Sequence, residues 1–208
     1  MNKYTFYCLD VETTGLNPID NDIIELSIYR LSDDVQKTWC IKPLNVEKSD
    51  PGALRVSGHK LEDLKCETKF GRDTYKDPNS VIIEVENFLS EDCMPAESRV
   101  LIAHNASFDK MMLEYLWKKC NAFDSFPFGR RVLDTMVNEL YIDFCKNDFA
   151  EGYSLKNLSK KYNVHNDKAH SAAADTKCTV EVFKKQTEFV RSLLSKSITT
   201  STRLVACK

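Results

Sequence analysis

The sequence is poor in residues that break regular structure, because its 208 residues include only 6 glycines and 6 prolines. That scarcity excludes collagen-like chains and linker-rich ones. No apolar run reaches about 18 residues, which excludes a membrane-spanning helix of the usual length. The opening residues, MNKYTFYCLDVE, lack a basic stretch followed by an apolar core and a small-residue cleavage site. We therefore expect no secretory signal, no membrane partner and a cytoplasmic, intracellular location.

Charge of neither sign is in excess, since 29 Lys and Arg residues face 31 Asp and Glu residues, giving a formal net charge of −2. A protein that coats nucleic acid needs many more cations than anions, so that class is excluded. The 8 cysteines include no CxxC pair. We therefore expect reduced thiols rather than zinc or a disulfide framework.

Hydrophobic patterning predicts an α/β fold, with one domain over 1–196 and a flexible tail over 197–208. Three early strands joined by turns indicate an antiparallel start to the sheet. We predict a short helix near Ser57–Leu64 with Ser57 as its cap, and a polar surface insertion over 65–79. The predicted strands are 4–12, 23–31, 35–41, 99–104 and 131–134. Further helices are predicted to begin at 80, 107, 135, 154 and 172, with the last ending near 196.

A pair of carboxylates closes the first predicted strand. Asp10 and Glu12 are two positions apart and therefore project from the same face of the sheet. Charges at the end of an apolar strand are costly unless they are solvated, paired or bound to metal. A DxE sequence alone is nevertheless common at an ordinary polar strand end.

Two further acidic residues stand at predicted helix starts: Asp109 in HNASFD and Asp175 in HSAAAD. Each alone is typical of a capped helix with an acid in its first turn. Together with Asp10 and Glu12 they could converge at the loop edge of a twisted sheet. Carboxylates about 4 Å apart repel by about 4 kcal/mol at an effective dielectric near 20, so such a cluster requires cations. Oxygen ligands select Mg²⁺ or Mn²⁺, and two such ions can clamp a phosphodiester.

The segments DVETTG, HNASFD and HSAAAD, in this order, resemble the three exonuclease motifs of DnaQ-like 3′–5′ exonucleases of the DEDDh type. The resemblance extends from about Lys3 to Phe189 and includes the leucine-spaced SLKNLSKKYNV before the third motif. It implies a ribonuclease H-like fold with a mixed five-stranded sheet flanked by helices. It also implies hydrolysis of single-stranded nucleic acid from the 3′ end to nucleoside 5′-monophosphates.

The same resemblance implies roles for the five signature residues. Asp10, Glu12 and Asp175 are the expected ligands of the first of two Mg²⁺ or Mn²⁺ ions. Asp10 would also bridge to the second ion, which Asp109 would hold directly or through water. His170 is the expected general base, a role suited to an imidazole that titrates near neutral pH.

Substrate contacts follow from the resemblance as well. The backbone at Thr13 is expected to receive the terminal 3′-OH, and Leu16 to wedge against the last base. Val56, within RVSGHKL, is expected to place a second apolar side chain beside the bases. Asn105 is expected to help bind the nucleotide.

Several other residues have two interpretations. Phe108 could stack on a base, although its helical spacing with Met111 and Met112 favours the core. His59 could approach the site, although a histidine on a surface helix is the favoured interpretation. A set of basic residues could line a phosphate track or simply form a solvated face. That set is Arg130, Arg131, Lys156, Lys160, Lys161 and Lys168.

The expected partner is a single-stranded 3′ end, with DNA favoured over RNA. One alternative is an exoribonuclease that trims RNA 3′ ends, and another is a proofreading component bound to a DNA polymerase. A homodimer is compatible with the resemblance. An inactive binding module on the same fold is disfavoured, because such a module has no use for a base beside four acids.

Overall fold

The computed structural model describes residues 3–65, 75–166 and 170–205. Its centre is one mixed sheet with the strand order β3-β2-β1-β4-β5. The strands are β1 (Thr5–Thr13), β2 (Ile23–Arg30), β3 (Val35–Cys40), β4 (Arg99–Ala103) and β5 (Val132–Asp134). β1 and β3 run antiparallel to β2, whereas β4 and β5 run parallel to β1. The predicted five-stranded mixed sheet is confirmed.

Seven helices flank this sheet within the described ranges. They are α1 (Pro51–Ser57), α2 (Leu61–Lys65), α3 (Pro78–Ser90), α4 (Ala106–Lys119), α5 (Thr135–Lys146), α6 (Leu155–Tyr162) and α7 (Ala172–Val205). Short 3-10 turns lie at Val46–Lys48, Ala96–Ser98 and Phe123–Ser125. In the part of the chain that the structure describes, none of these helices has both the length and the apolarity to cross a membrane.

The two faces of β1 enter two different cores because side chains alternate along a strand. Tyr7, Leu9 and Val11 belong to the main core, which α3 and α4 complete. Cys8 points to the opposite face, where it packs with Val180 of α7. α7 therefore covers the face of β1 that carries Cys8 and, because side chains alternate, every second residue after it.

The region after β3 differs from the prediction. Asp50 caps α1, accepting the Gly52 N–H at 2.6 Å, and Pro51 occupies the first turn, where a missing N–H costs nothing. Ser57 ends α1, and Gly58 follows in the left-handed region at φ 73°. The prediction that Ser57 caps a helix was therefore wrong, because the Asp-Pro pair begins a helix about two turns earlier.

The predicted insertion over 65–79 lies mainly outside the described residues, which exclude 66–74. Its last part is exposed at Lys76, Asp77 and Asn79, and Lys76 bridges to Ile41 beside the sheet. Asp77 then caps α3 by accepting the Asn79 and Ser80 N–H groups. α3 consequently begins at Pro78, before the predicted start.

α7 also differs in length from its predicted form. Its backbone is helical as far as Val205, past the predicted end near residue 196. No glycine or proline interrupts the sequence from Ala172 to Val205, so no residue of that kind ends the helix earlier. The domain boundary at 196 stays a prediction.

Candidate active site

Asp10 and Glu12 lie near the carboxyl end of β1, on the face that α7 covers. They are half-buried, and the strand continues to Thr13 with an irregularity in its pairing after Glu12. This position follows from the alternation that directs Cys8 toward α7 and Val11 toward α4. The two carboxylates therefore face the start of the closing helix.

Asp175 is supplied by the first turn of α7. Ala172 is fully buried, and Ala173 and Ala174 are half-buried. These small side chains let the helix approach the sheet closely. As a result, one carboxylate oxygen from each of Asp10, Glu12 and Asp175 lies within 4.8 Å of the other two.

Asp109 reaches β1 from the other layer. It is 3% exposed in the first turn of α4, and its Oδ1 accepts the Val11 N–H at 3.2 Å. This hydrogen bond places it beside the strand segment between Asp10 and Glu12. Within the described residues it is outside the group of three carboxylates that come within 4.8 Å of one another.

Asp134, which sequence reasoning did not select, holds the helix that carries Asp109. Its carboxylate accepts the Asn105 and Ala106 N–H groups at 3.2 and 2.8 Å, at the start of α4. It also caps α5 by accepting the N–H groups of Met136 and Val137. The detectable signal was an aspartate at the start of a predicted helix, a common N-cap, although the sequence does not show that it serves two helices.

Like charges and burial dominate the electrostatics of this site. Burial, followed by the carboxylates of Asp109 and Asp175, raises the pKa of Asp10 well above its usual value. Burial and the neighbouring Asp175 raise the pKa of Glu12 to about 7. Burial raises the pKa of Asp109 to about 8, with Asp134 and Glu12 adding repulsion.

No lysine or arginine in the described ranges forms an ion pair with Asp10, Glu12, Asp109 or Asp175. An uncompensated group of carboxylates is the donor set that a hard divalent cation binds. The residues present therefore fit Mg²⁺ or Mn²⁺. Every donor is an oxygen, and a bound cation would offset the repulsion among the carboxylates.

His170 lies two residues before the start of α7, with its backbone in the left-handed region at φ 70°. Its N–H donates to Asp175 Oδ2 at 3.1 Å, while its side chain is exposed. The imidazole makes no hydrogen bond to another described residue. The backbone of His170 thus lies at the acidic group, and its role as base stays a prediction.

Three of the four predicted substrate contacts lie on two segments that are joined to each other. Thr13 is buried, and its hydroxyl donates to the Gly15 carbonyl at 2.8 Å. Leu16 is 77% exposed and Val56, on α1, is 56% exposed. The Asp50 N–H donates to the Thr14 carbonyl at 2.7 Å, which ties the start of α1 to the end of β1. Asn105 is exposed at the start of α4.

The structure also decides among the residues with two interpretations. Phe108 packs against the main core, as its spacing predicts. His59 is not a surface histidine, because its side chain is 12% exposed and lies 3.6 Å from Glu25. That prediction was wrong because β2, remote in sequence, supplies a buried partner.

Among the basic residues, Lys161 has a structural role. Its Nζ lies 2.8 Å from Glu139 and 2.7 Å from Asp143, two carboxylates that are almost fully buried. Lys156, Lys160, Arg130 and Arg131 are exposed, whereas Lys168 lies outside the described residues. Because Lys161 is paired with these two carboxylates, it is not free to contact a phosphate.

Comparison with known proteins places this geometry among nucleases. The family profile RNase_T, described as Exonuclease, matches residues 7–183. The PolC-type DNA polymerase III of Thermotoga petrophila is 25% identical over 193 residues, covering 91% of this chain and 12% of that protein. The corresponding polymerase of Streptococcus mutans is 26% identical over 181 residues, covering 86% of this chain and 11% of that protein. The chain thus spans about an eighth of these curated relatives.

Solved structures show the same fold at low sequence identity. E. coli exonuclease I in a zinc-bound complex with single-stranded DNA gives a TM-score of 0.70 at 15% identity, covering 96% of this chain and 43% of that one. Cell-death related nuclease 4 gives a TM-score of 0.69 at 14% identity, covering 89% of this chain and 64% of that one. The architecture is that of ribonuclease H-like exonucleases.

Proposed function

We propose that this chain, which belongs to the RNase_T exonuclease family, is a divalent-cation-dependent 3′–5′ exonuclease. Its substrate is a single-stranded 3′ end, with DNA favoured over RNA, and its products are nucleoside 5′-monophosphates. The observation that carries this proposal is the meeting of Asp10, Glu12 and Asp175 within 4.8 Å. Asp10 and Glu12 come from β1 and Asp175 comes from α7, so two elements that are remote in sequence supply one acidic group.

The cofactor of the proposal is two Mg²⁺ or Mn²⁺ ions. Asp10, Glu12 and Asp175 would hold the first ion, and Asp10 with Asp109 the second. When bound, such ions neutralise the carboxylates and the charge that develops on the phosphodiester during in-line displacement. The raised pKa values of Asp10, Glu12 and Asp109 support this assignment, since burial and neighbouring carboxylates raise them and bound cations would offset both effects.

His170 is the proposed general base. It takes a proton from the water that attacks the terminal phosphodiester, and the 3′-oxygen of the preceding nucleotide leaves. The backbone bond from His170 to Asp175 supports this role, because it keeps the residue at the start of α7, beside the acids. An exposed imidazole is also accessible to substrate and water.

Substrate selection is proposed to depend on the shape of a free end. Leu16 and Val56 are exposed apolar side chains on connected segments, suited to contact with any base. The backbone at Thr13 is proposed to receive the terminal 3′-OH. Such contacts distinguish strandedness and polarity rather than sequence.

The direct test uses a single-stranded oligonucleotide carrying a 5′ label. With Mg²⁺ or Mn²⁺, a 3′–5′ exonuclease produces a ladder of progressively shorter labelled products. A 5′–3′ enzyme would instead release the label at once as a mononucleotide. An intact oligonucleotide with both ions would contradict the proposal, and matched DNA and RNA strands in competition reveal the preferred sugar.

Two variants separate binding from chemistry. His170→Ala should retain Mn²⁺ and oligonucleotide binding while turnover falls by about 100-fold or more, the usual contribution of a general base. Its matched control is His165→Ala, since His165 is exposed on the preceding connection. Asp10→Ala should lose Mn²⁺ binding, unlike Asp148→Ala, which removes an exposed acid after α5. Unchanged turnover in His170→Ala would exclude His170 as the base.

A second candidate function is proofreading within a DNA polymerase. The matches to PolC-type DNA polymerase III favour it, because they cover from 86% to 93% of this chain. A proofreading enzyme should remove a mismatched 3′ nucleotide from a primer faster than a matched one, since a mismatched end frays into a single strand. Equal rates on both primers would argue for general trimming of DNA or RNA ends.

A further inference from the structure

Glu25 is a carboxylate beside the candidate site that belongs to none of the three motifs. It lies on β2, directly opposite Glu12 in the pairing of β1 with β2. Its side chain is 12% exposed. A charged group so deeply placed requires hydrogen-bond or ionic partners.

One oxygen of Glu25 contacts the residues that begin α7. Ser171 Oγ and the Ala173 N–H each donate to Glu25 Oε1 at 3.4 Å. A carboxylate is stabilised at a helix N-terminus, where backbone N–H groups lack partners. These contacts join β2 to the segment between His170 and Asp175.

The other oxygen faces a histidine from a third segment. His59 Nε2 lies 3.6 Å from Glu25 Oε2, and His59 Nδ1 lies 2.5 Å from the hydroxyl of Tyr75. The imidazole thus lies between two polar groups. His59 follows Val56 by three positions, between α1 and α2.

We propose that Glu25 is a positioning residue for the hydrolytic reaction. By accepting hydrogen bonds from the start of α7, it sets where His170 and Asp175 lie relative to Asp10 and Glu12. This inference rests on the proposed exonuclease function. Glu25 is not in the described group of three carboxylates within 4.8 Å, so the contacts support helix placement rather than a direct bond to metal.

Glu25→Ala and Glu25→Gln distinguish positioning from charge. Glutamine keeps an oxygen that accepts from Ser171 and Ala173, whereas alanine removes it. Glu25→Ala should lower kcat by about 10- to 100-fold, the range expected for a small misplacement of reacting groups, with KM little changed. Glu25→Gln should stay within about threefold of wild type, because one charge beside partly solvated ligands alters ion affinity modestly. Mn²⁺ affinity, measured by titration, should be retained by both.

Hydrogen exchange gives a readout that does not depend on turnover. Glu25→Ala should speed exchange of the backbone amides at 173–175 in the folded protein, while Glu25→Gln should protect them as wild type does. Glu181→Ala is the control, because Glu181 is an exposed acid on the same helix, paired with Lys184.

Two results would overturn the inference: wild-type kcat and exchange in Glu25→Ala, or equal losses in Glu25→Ala and Glu25→Gln. The second result would indicate that the charge, not hydrogen-bond acceptance, is required. If the wild-type chain cleaves no oligonucleotide, the proposed function fails, but the exchange measurement still decides whether Glu25 positions the start of α7.

Discussion

Asp10→Asn should make the metal-free protein more stable than wild type, although it removes a group proposed to be essential. Two ionised carboxylates whose oxygens lie within 4.8 Å of each other repel by about 3 kcal/mol or more at an effective dielectric near 20. Asp10 takes part in two of the three pairs within its group. Asparagine has nearly the same shape but carries no charge, so it removes this repulsion without leaving a cavity.

The sign of the pH dependence follows from the raised pKa values of Asp10 and Glu12. Below about pH 3 the carboxyls are protonated in both the folded and unfolded states, so they impose no penalty. As the pH rises, the unfolded chain loses protons that the folded chain retains. Each retained proton lowers the free energy of unfolding by about 1.4 kcal/mol per pH unit. For Glu12 this decline continues to about pH 7, its folded pKa.

The assay is urea unfolding in EDTA at pH 5 and pH 8. We expect Asp10→Asn to exceed wild type by about 2–4 kcal/mol at pH 8, close to the repulsion of one ionised pair, and by less than about 1.5 kcal/mol at pH 5. Mn²⁺ at about 1,000 times Kd should reverse the order, because binding then adds about 4.1 kcal/mol to wild type, at or above the expected advantage of the variant. A metal-free variant no more stable than wild type at pH 8 would refute the reasoning. Asp148→Asn, at an exposed position, should show neither effect.

Three further substitutions test other parts of the structure. Asp134→Ala removes caps from α4 and α5, so urea unfolding should show a loss of about 2 kcal/mol together with slower hydrolysis; unchanged stability would contradict the double-cap role. Lys161→Met should destabilise the fold by about 3 kcal/mol, because Glu139 and Asp143 lose their cation in a buried setting; a neutral effect in the same assay would mean that solvent replaces it. Leu16→Ala should raise KM without changing the thermal midpoint, since the side chain is 77% exposed; an unchanged KM would exclude Leu16 as a base contact.

Much of the sheet could be predicted because its signals are local. Alternating burial along β1 and the turns after it follow from short-range sequence, as do the helices beginning near Ser107 and Thr135. The helix start at Pro51 was missed because an Asp-Pro pair inside a polar segment was not recognised as a cap followed by a first turn. Element ends depend on such single residues more than on periodicity.

The sequence by itself determined the residue types of the acidic motifs, their order along the chain and the faces of the elements that carry them. Only the tertiary structure decided which acids meet, since Asp175 approaches Asp10 through the close packing of α7. It also decided that Glu25 contacts Ser171 and that His59 is buried. The reason is physical: periodicity records the face of one element, whereas a buried polar group's partner depends on how remote elements pack together.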